Sequence, residues 1–254
     1  MGWLLLTLTI ATLASWLPIA DPFHVDLGRA LQPPGASNWL GTDELGRDLL
    51  ARLIHAARST LWITGLATCL TVSLGAILGI TAGWFGGWAD RSIGVTINLL
   101  WTIPLIVFAI LVVAVVGASV TSLVVTIGLT NWVTSARIFR AESARLREQE
   151  FIKRAAAYGF GRWSIASSEL LPNLAPLLWI VAAFAAVEVL TIETGLAFLG
   201  LSLPPPSPTW GGLLAEGLSY SATAWWLVAG CAGAITLTLV CLQAVSRRWE
   251  TTRL

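Results

Sequence analysis

Long apolar runs separated by short polar segments set the hydrophobic pattern of this chain. They cover residues 2–20, 59–82, 92–135, 174–201 and 224–245. The 92–135 run carries no charged residue and is long enough for two helices with a turn near Gly117–Ser119. Because one crossing of the hydrocarbon core needs roughly 20 apolar residues, the pattern predicts six membrane-spanning helices. Pro104 lies inside the third of them and is expected to kink it.

The composition favours the same class of protein. Hydrophobic residues make up 56% of the chain and charged residues only 11%, with a mean hydropathy of +0.77. A soluble domain usually carries about 25% charged residues. Because backbone polar groups must be paired inside lipid and these apolar runs are continuous, helices are expected throughout. The predicted fold class is an all-α polytopic membrane protein.

The run at 2–20 has two interpretations. It is preceded by no Lys or Arg and is long for a signal peptide, which favours a retained first span over a cleaved signal. The predicted organisation places this span and an external amphipathic segment in residues 1–57. The transmembrane domain then covers 58–247, and 248–254 form a cytoplasmic tail.

Basic residues are concentrated on one predicted side of the membrane. With six spans, 11 of the 15 Lys and Arg residues fall in 137–162, in the turn after Gly83 and in the C-terminal tail. Because positively charged loops remain in the cytoplasm, that side is predicted to be cytoplasmic. Residues 21–57 and the proline-rich loop at 204–212 then face outward.

A short amphipathic helix is predicted at the outer membrane surface before the second span. Thr42 or Asp43 is suited to cap it. Leu45, Leu49 and Leu53 would form its apolar stripe.

An elbow of two helices (residues 141–169) is predicted between the fourth and fifth spans. The Ala, Arg and Glu content of 141–158 favours a helix, and Gly159 is suited to end it in a left-handed conformation. A second short helix at 161–169 is expected to stop before Pro172, because proline disfavours the helical state in the residue before it.

Six short motifs occur in order between residues 40 and 212. They are LGTDELGRD (40–48), GWFGGW (83–88), RLREQEF (145–151), LPN (171–173), ETGLAFLG (193–200) and PPSPTWG (205–211). Together they resemble the permease subunits of binding-protein-dependent ABC importers, and specifically the dipeptide/oligopeptide/nickel branch. Gly159 and the Leu171–Pro172 pair stand at the distances of that family's cytoplasmic loop. The resemblance implies the type I ABC importer (MetI-like) permease fold.

The resemblance also implies that the elbow seats in a groove of an ATPase subunit. The implied contact residues are Phe151, Ile152, Lys153, Arg154, Ala155, Ala156, Ala157, Tyr158 and Gly159. The Glu-Ala-Ala positions of the family fall on Lys153, Arg154 and Ala155, so the usual acidic residue is reversed in sign. Lys153 is expected either to face an acidic residue of the partner's groove or to be solvated.

Further partners follow from the same resemblance. A second, homologous permease subunit would complete the path, two ABC ATPase subunits would bind ATP and Mg²⁺, and an external solute-binding protein would dock on the outer side. The docking candidates are Asp43, Glu44, Arg47, Asp48 and Trp210. The implied location is the bacterial inner membrane, with lipid around the chain. No nucleic-acid partner is expected, and the net charge of +1 is uninformative on this point.

No catalytic, cofactor or metal site is predicted within this chain. Its one lysine, Lys153, lies outside any Gly-rich phosphate-binding motif, so ATP hydrolysis is expected in separate subunits. The cysteines Cys69, Cys231 and Cys241 lie in apolar runs without the spacing of metal ligands.

Two carboxylates in the fifth span are candidates for the translocation path. A charged residue at membrane depth costs about 2.5–3.5 kcal/mol and marks a functional position by default. Glu188 and Glu193 lie about 140° apart around a helix, so they do not share one groove. If either relayed protons, the chain would be a proton-coupled secondary transporter, although no internal repeat supports this. An intramembrane enzyme is disfavoured because no span contains His, Asp or Lys.

The expected cargo is a dipeptide or oligopeptide. Nickel, or a metal held by a small chelator, is the alternative, and the mostly apolar spans do not distinguish the two.

Overall fold

The computed structural model describes residues 21–102, 104–201 and 203–251. In these ranges the regular elements are helices, apart from an isolated bridge between Thr42 and Asp48. The all-α class is therefore confirmed for the described part of the chain. The predicted first span at 2–20, with the question of its cleavage, lies outside the described residues.

The α-helices of the described ranges follow one another with short connections. They are α1 (Leu49–Phe85), α2 (Gly87–Trp101), α3 (Leu105–Val116), α4 (Val120–Arg147), α5 (Glu150–Ala157), α6 (Arg162–Ile165), α7 (Leu171–Phe198), α8 (Trp210–Leu218) and α9 (Trp225–Thr251). A 3-10 turn at Leu27–Arg29 precedes α1, and a π-helical turn at Ala166–Leu170 joins α6 to α7.

Three helical segments of the described chain are long and apolar enough to cross a membrane. They are Leu49–Phe85, Arg162–Phe198 and Trp225–Ala244. A fourth crossing results if α2 and α3, which meet at an angle of 82°, form one broken span. Pro104 caps α3 at this break, where the sequence predicts a kink. The count of six spans stays a prediction.

Helix α4 is more polar than these segments because its last turns carry five charged residues and its apolar part contains buried polar ones. It buries Thr126, Thr130, Asn131 and Ser135 along its length. The Thr130 hydroxyl donates to the carbonyl of Thr126 at 2.8 Å, so the buried side chain is satisfied by its own helix. The α1–α4 contact is the most extensive between any two described helices.

Glycines on α1 allow this close approach. Gly75, Gly79 and Gly83 recur every fourth residue on the side that faces α4. A Cβ atom on Gly75 would lie 2.5 Å from the Cβ of Ser135, and one on Gly79 would lie 2.9 Å from the Cβ of Phe139. Small residues at this spacing let two backbones meet inside a membrane, where close packing drives helix association.

Asp48 is the N-cap of α1, so the predicted cap at Thr42 or Asp43 is wrong. The Asp48 carboxylate accepts the backbone N–H of Ala51 at 2.8 Å. Asp43 instead accepts two backbone N–H groups of its own turn, each at 2.9 Å. The prediction of a separate surface helix is wrong, because Leu49 and Leu53 lie in the first turns of α1 itself.

The first helix of the elbow is broken where the sequence predicts continuity. Helix α4 ends at Arg147 and α5 begins at Glu150. The break turns Ile152 inward, where it is 4% exposed and packs in a cluster with residues of α1, α4 and α6. Residues 141–158 are mostly good helix formers, so tertiary packing and not local preference causes the break.

Gly159 ends α5 as predicted. Its φ of +87° is in the left-handed region that favours glycine. The N–H of Gly159 donates to Ala156 at 3.0 Å and the N–H of Phe160 donates to Ala155 at 3.3 Å, which closes the helix end.

The second helix of the elbow does not stop before Pro172, which corrects another prediction. The chain is helical from Arg162 to Phe198, with Pro172 in the first turn of α7. The π-helical turn directly before α7 shifts the hydrogen-bond register there, which accommodates a residue without a backbone N–H.

Candidate functional site

The elbow presents aromatic side chains at the basic end of the bundle. Tyr158 is 83% exposed and Trp163 is 76% exposed, with Phe160 also exposed between them. Buried Ile152 anchors the same segment from below. Large exposed aromatic side chains around a fixed turn are the usual anchors of a protein–protein interface. Sequence reasoning selected Tyr158 but missed Phe160 and Trp163, although aromatic residues in a basic loop were the available signal.

Most of the other predicted coupling residues also lie on the surface. Lys153, Arg154, Ala156, Ala157 and Gly159 are exposed, whereas Phe151 is only just exposed and Ala155 is half-buried. The structure thus brings the predicted set together on one short helix and its turn, with Ile152 as the buried exception.

Lys153 has an acidic partner within its own chain. Its Nζ lies 3.2 Å from Oε2 of Glu148, and Arg154 pairs with Glu150 at 2.9 Å. The Lys153 ammonium, with a smaller effect from Arg147, holds the pKa of the Glu148 carboxyl below its usual range. Both pairs are exposed, so they orient side chains more than they stabilise the fold.

The elbow packs against the end of α1. A cavity of about 300 Å³ lies between it and the end of α1, lined by residues that include Trp84, Phe85 and Ile165. The Phe85 and Trp163 rings approach to 5.3 Å between centroids. The elbow is therefore attached both to α1 and, through α6, to α7.

An outer ion-pair cluster (Asp43, Arg47, Arg52 and Glu216) lies at the opposite end of α1. Oδ2 of Asp43 accepts from Arg47 Nε and from an Arg52 guanidinium nitrogen, each at 2.6 Å. The same Arg52 nitrogen lies 2.8 Å from Oε2 of Glu216 on α8. Arg52 and Glu216 were missed by sequence reasoning, since nothing local indicates that 164 residues of chain bring them together.

The predicted docking residues divide into buried and accessible groups. Asp43 and Trp210 are buried, so a partner can reach the surface around them but not their side chains. Trp210 instead donates its indole N–H to the carbonyl of Leu53 at 3.0 Å. Glu44, Arg47 and Asp48 are partly exposed.

A cavity of about 280 Å³ adjoins the outer ion-pair cluster beneath the proline-rich loop. Its lining includes Phe23, Arg47, Arg52, Pro206, Pro208 and Glu216. Both charge signs and an apolar floor therefore meet in one recess at the end of the bundle opposite the elbow.

The two candidate path carboxylates lie in different environments on α7. Glu188 is exposed on the surface of the single chain, with its Oε2 3.3 Å from Nδ2 of Asn131 on α4. Glu193 is 1% exposed and faces Thr209, the residue that caps α8. As predicted from their spacing, they do not share a groove. Glu188 can meet a molecule outside the chain, whereas Glu193 belongs to the α7–α8 contact.

Known proteins match this chain in sequence and in fold. The profile of the family described as "Binding-protein-dependent transport system inner membrane component" matches residues 75–250. A putative peptide transport system permease protein of Brucella suis is 33% identical over 243 residues, which are 95% of this chain and 81% of that protein. The oligopeptide transport system permease protein OppC of Mycobacterium tuberculosis is 34% identical over 224 residues, covering 85% of this chain and 75% of OppC.

A solved structure supports the fold. A chain from inward-facing conformations of the MetNI methionine ABC transporter aligns with a TM-score of 0.62 at 18% identity, over 80% of this chain and 95% of that chain. The likeness shows that the helices are arranged as in that transporter's membrane fold.

Proposed function

Since this chain belongs to the family of binding-protein-dependent transport system inner membrane components, we propose that it forms half of the path of an ATP-driven importer for dipeptides or oligopeptides. The proposed cargo rests on its relatives, because the Brucella and Mycobacterium proteins are named as peptide and oligopeptide permeases.

The elbow is the observation that carries the proposal. It combines exposed Tyr158, Phe160 and Trp163 with a buried anchor at Ile152, and it continues into α7 through an unbroken helix. A surface that binds an ATPase must hold its partner and must also transmit the partner's movement to the membrane-spanning helices. Exposed aromatic side chains on a packed helix can bind the ATPase, and the continuous Arg162–Phe198 helix can transmit the movement.

The proposed complex contains a second homologous permease, two ABC ATPases that bind ATP and Mg²⁺, and an external solute-binding protein. The solute-binding protein docks on the outer recess formed by Arg47, Glu216 and the proline-rich loop. The chain lies in the bacterial inner membrane with six spans, and the elbow and C-terminus face the cytoplasm, because the basic residues gather at that end.

Glu188 is proposed to line the translocation path. A carboxylate exposed on the chain at the depth of a span is too costly to face hydrocarbon. With Asn131 beside it, Glu188 provides a polar position that the partner permease and the cargo can share.

Co-purification tests the proposal most directly. A tagged chain is isolated from its native membranes, and the proteins that accompany it are identified. We expect an ATPase and a second permease with the wild type. The double variant Tyr158→Glu/Trp163→Glu should lose the ATPase by more than about ten-fold, since interfacial aromatic anchors contribute about 2 kcal/mol or more.

The matched control is Trp39→Glu, the same kind of change at a residue that is 74% exposed on the outer segment. It should leave the ATPase in place. Recovery of the chain alone from wild-type membranes, or equal ATPase recovery in the double variant, would contradict the proposal.

Uptake into membrane vesicles separates the cargoes and the energy source. We expect ATP-dependent uptake of a radiolabelled tripeptide that requires the solute-binding protein. Uptake of Ni²⁺ but not peptide would favour the metal alternative. Uptake driven by a proton gradient with a hydrolysis-deficient ATPase would indicate a secondary transporter.

A further inference from the structure

A basic cavity lies beside the elbow, on the other side of Phe85 and Arg147. It measures about 400 Å³ and is formed by the end of α1, the first turn of α2 and one stripe of α4. Its lining is Ala82, Gly83, Phe85, Gly86, Gly87, Asp90, Arg137, Arg140, Ala141, Ala144 and Arg147. Three arginines therefore face one carboxylate in a recess large enough for a small polar group.

The carboxylate in this basic cavity is already neutralised. Arg140 holds Asp90 through two contacts, Nε to Oδ1 at 2.5 Å and a second guanidinium nitrogen to Oδ2 at 2.9 Å. This bidentate pair joins α2 to α4 and leaves the positive charges of the other two arginines uncompensated within the lining.

Arg137 and Arg147 are held in place with donors to spare. The Arg137 guanidinium stacks over the Trp101 ring at 3.8 Å, and no ion pair joins it to a carboxylate of the described residues. Arg147 donates to the carbonyl of Gly83 at 3.2 Å and lies 3.4 Å from Glu148 outside the cavity. A guanidinium has five N–H donors, so both retain the geometry that binds a phosphate in bidentate fashion.

Helix α2 separates the basic cavity from an exposed apolar stripe. Helix α2 turns Asp90 and Gly94 toward α4 and leaves Trp88, Val95 and Leu99 exposed on its opposite face. That outward face is apolar and has a tryptophan at its polar end, as expected of a helix anchored at the lipid interface. Trp101, which stacks against Arg137 of the lining, is 56% exposed, so apolar surface also adjoins the cationic recess itself.

We propose that this basic cavity binds the phosphate-bearing headgroup of an anionic phospholipid. The headgroup lies in the recess between Arg137 and Arg147, with its phosphate on one guanidinium and its other polar atoms toward the second, while its acyl chains lie against the lipid-exposed surface of the bundle. Free phosphate has the same charge but gains nothing from the apolar surround. Basic pockets between membrane helices are suited to such headgroups.

Lipid titration of the purified, delipidated full chain tests the inference. Native mass spectrometry measures the affinity of the first bound phosphatidylglycerol, with phosphatidylcholine as the zwitterionic comparison. We expect phosphatidylglycerol to bind at least about ten-fold tighter, since two charge-assisted contacts contribute about 1.4 kcal/mol or more in total. The double variant Arg137→Gln/Arg147→Gln should lose this preference. Arg140 is left intact because it pairs with Asp90.

Two further variants keep the test decisive. Arg145→Gln removes one charge from the same helix but outside the cavity, where exposed Arg145 pairs with Glu142, and should retain the preference. Ala144→Phe fills the cavity without changing charge and should abolish the preference even if the double arginine variant fails to fold.

Three results would overturn the inference. They are equal affinities of the wild type for the two lipids, an equal loss in Arg145→Gln and in the double variant, and displacement of phosphatidylglycerol by an equal concentration of inorganic phosphate. The last would assign the cavity to a soluble anion.

Discussion

The indole N–H of Trp210 donates to the backbone carbonyl of Leu53 at 3.0 Å, across 157 residues of chain. In the same place the backbone N–H of Trp210 donates to the hydroxyl of Thr60 at 3.1 Å. Two hydrogen bonds therefore fix the start of α8 on α1, at the end of the bundle proposed to receive the solute-binding protein.

Removing the Trp210 indole bond should destabilise the chain measurably. Trp210→Phe removes the indole donor while the Leu53 carbonyl keeps its bond within α1, so about 0.5–1.5 kcal/mol should be lost. Trp210→Ala also opens a cavity and should cost about 3–5 kcal/mol. The unfolding midpoint of the detergent-purified chain checks both. Trp163→Phe, at an exposed position, is the control, and an equal shift there would argue against the assignment.

Arg52 should be the most sensitive member of the outer ion-pair cluster. Arg52→Gln leaves buried Asp43 with less compensation and frees Glu216, so about 3 kcal/mol of stability should be lost. Glu216→Gln should cost less, because its side chain is 46% exposed. Arg58→Gln, an exposed residue of the same helix, serves as control. Chemical denaturation of the three variants ranks them, and a larger loss for Glu216→Gln than for Arg52→Gln would refute this order.

The glycine face of α1 predicts a contrast between two positions on one helix. Gly79→Leu forces side-chain atoms into the backbone of α4, whereas Gly65→Leu enters open space. Overpacking of this kind costs about 1–3 kcal/mol or more. Folded yield after membrane extraction should fall for Gly79→Leu and hold for Gly65→Leu. Equal yields would mean that the α1–α4 contact has room for a leucine side chain at position 79.

Gly159 and Gly161 form a matched pair for the elbow. Gly159→Ala places a side chain at φ +87°, which costs about 1–2 kcal/mol, whereas Gly161 has an ordinary φ of −68°. Amide hydrogen exchange in 150–157 should therefore accelerate in Gly159→Ala and stay near wild type in Gly161→Ala. Unchanged exchange in both variants would show that the left-handed turn does not hold α5.

Glu188→Gln should separate transport from assembly. The residue is exposed on the single chain and holds no ion pair with another described residue. We expect peptide uptake to fall while the second permease and the ATPase are still recovered with the tagged chain. Loss of the second permease would instead place Glu188 in the contact between the two permeases.

Local signals predicted the turns well and the long-range partners poorly. Pro104, Gly117 and Gly159 each mark a helix end because their backbone preferences act without help from distant residues. The Arg52–Glu216 and Arg140–Asp90 pairs have no local signature, since they arise only when α1 meets α8 and α2 meets α4.

The wrong helix boundaries have a common physical cause. Asp43 and Asp48 are equally suitable helix caps by residue type. Asp48 is the cap because the Asp43 carboxylate already accepts backbone N–H groups of its own turn. The break before Glu150 likewise follows from the burial of Ile152. Helix propensity does not include such tertiary contacts.

The continuous helix from Arg162 to Phe198 joins the elbow directly to a membrane-spanning segment. At 1.5 Å per residue it is a rod of about 55 Å, and a rod shifts or tilts as a unit where a jointed loop would absorb the displacement. In the proposed complex, a push of the ATPase on Trp163 would pass along this helix, through the π-helical turn and Pro176, to Glu188 and the α7–α8 contact at Glu193. The π-helical turn at Ala166–Leu170 and Pro176 are places along this helix where the regular hydrogen-bond pattern is interrupted and where it can bend or rotate.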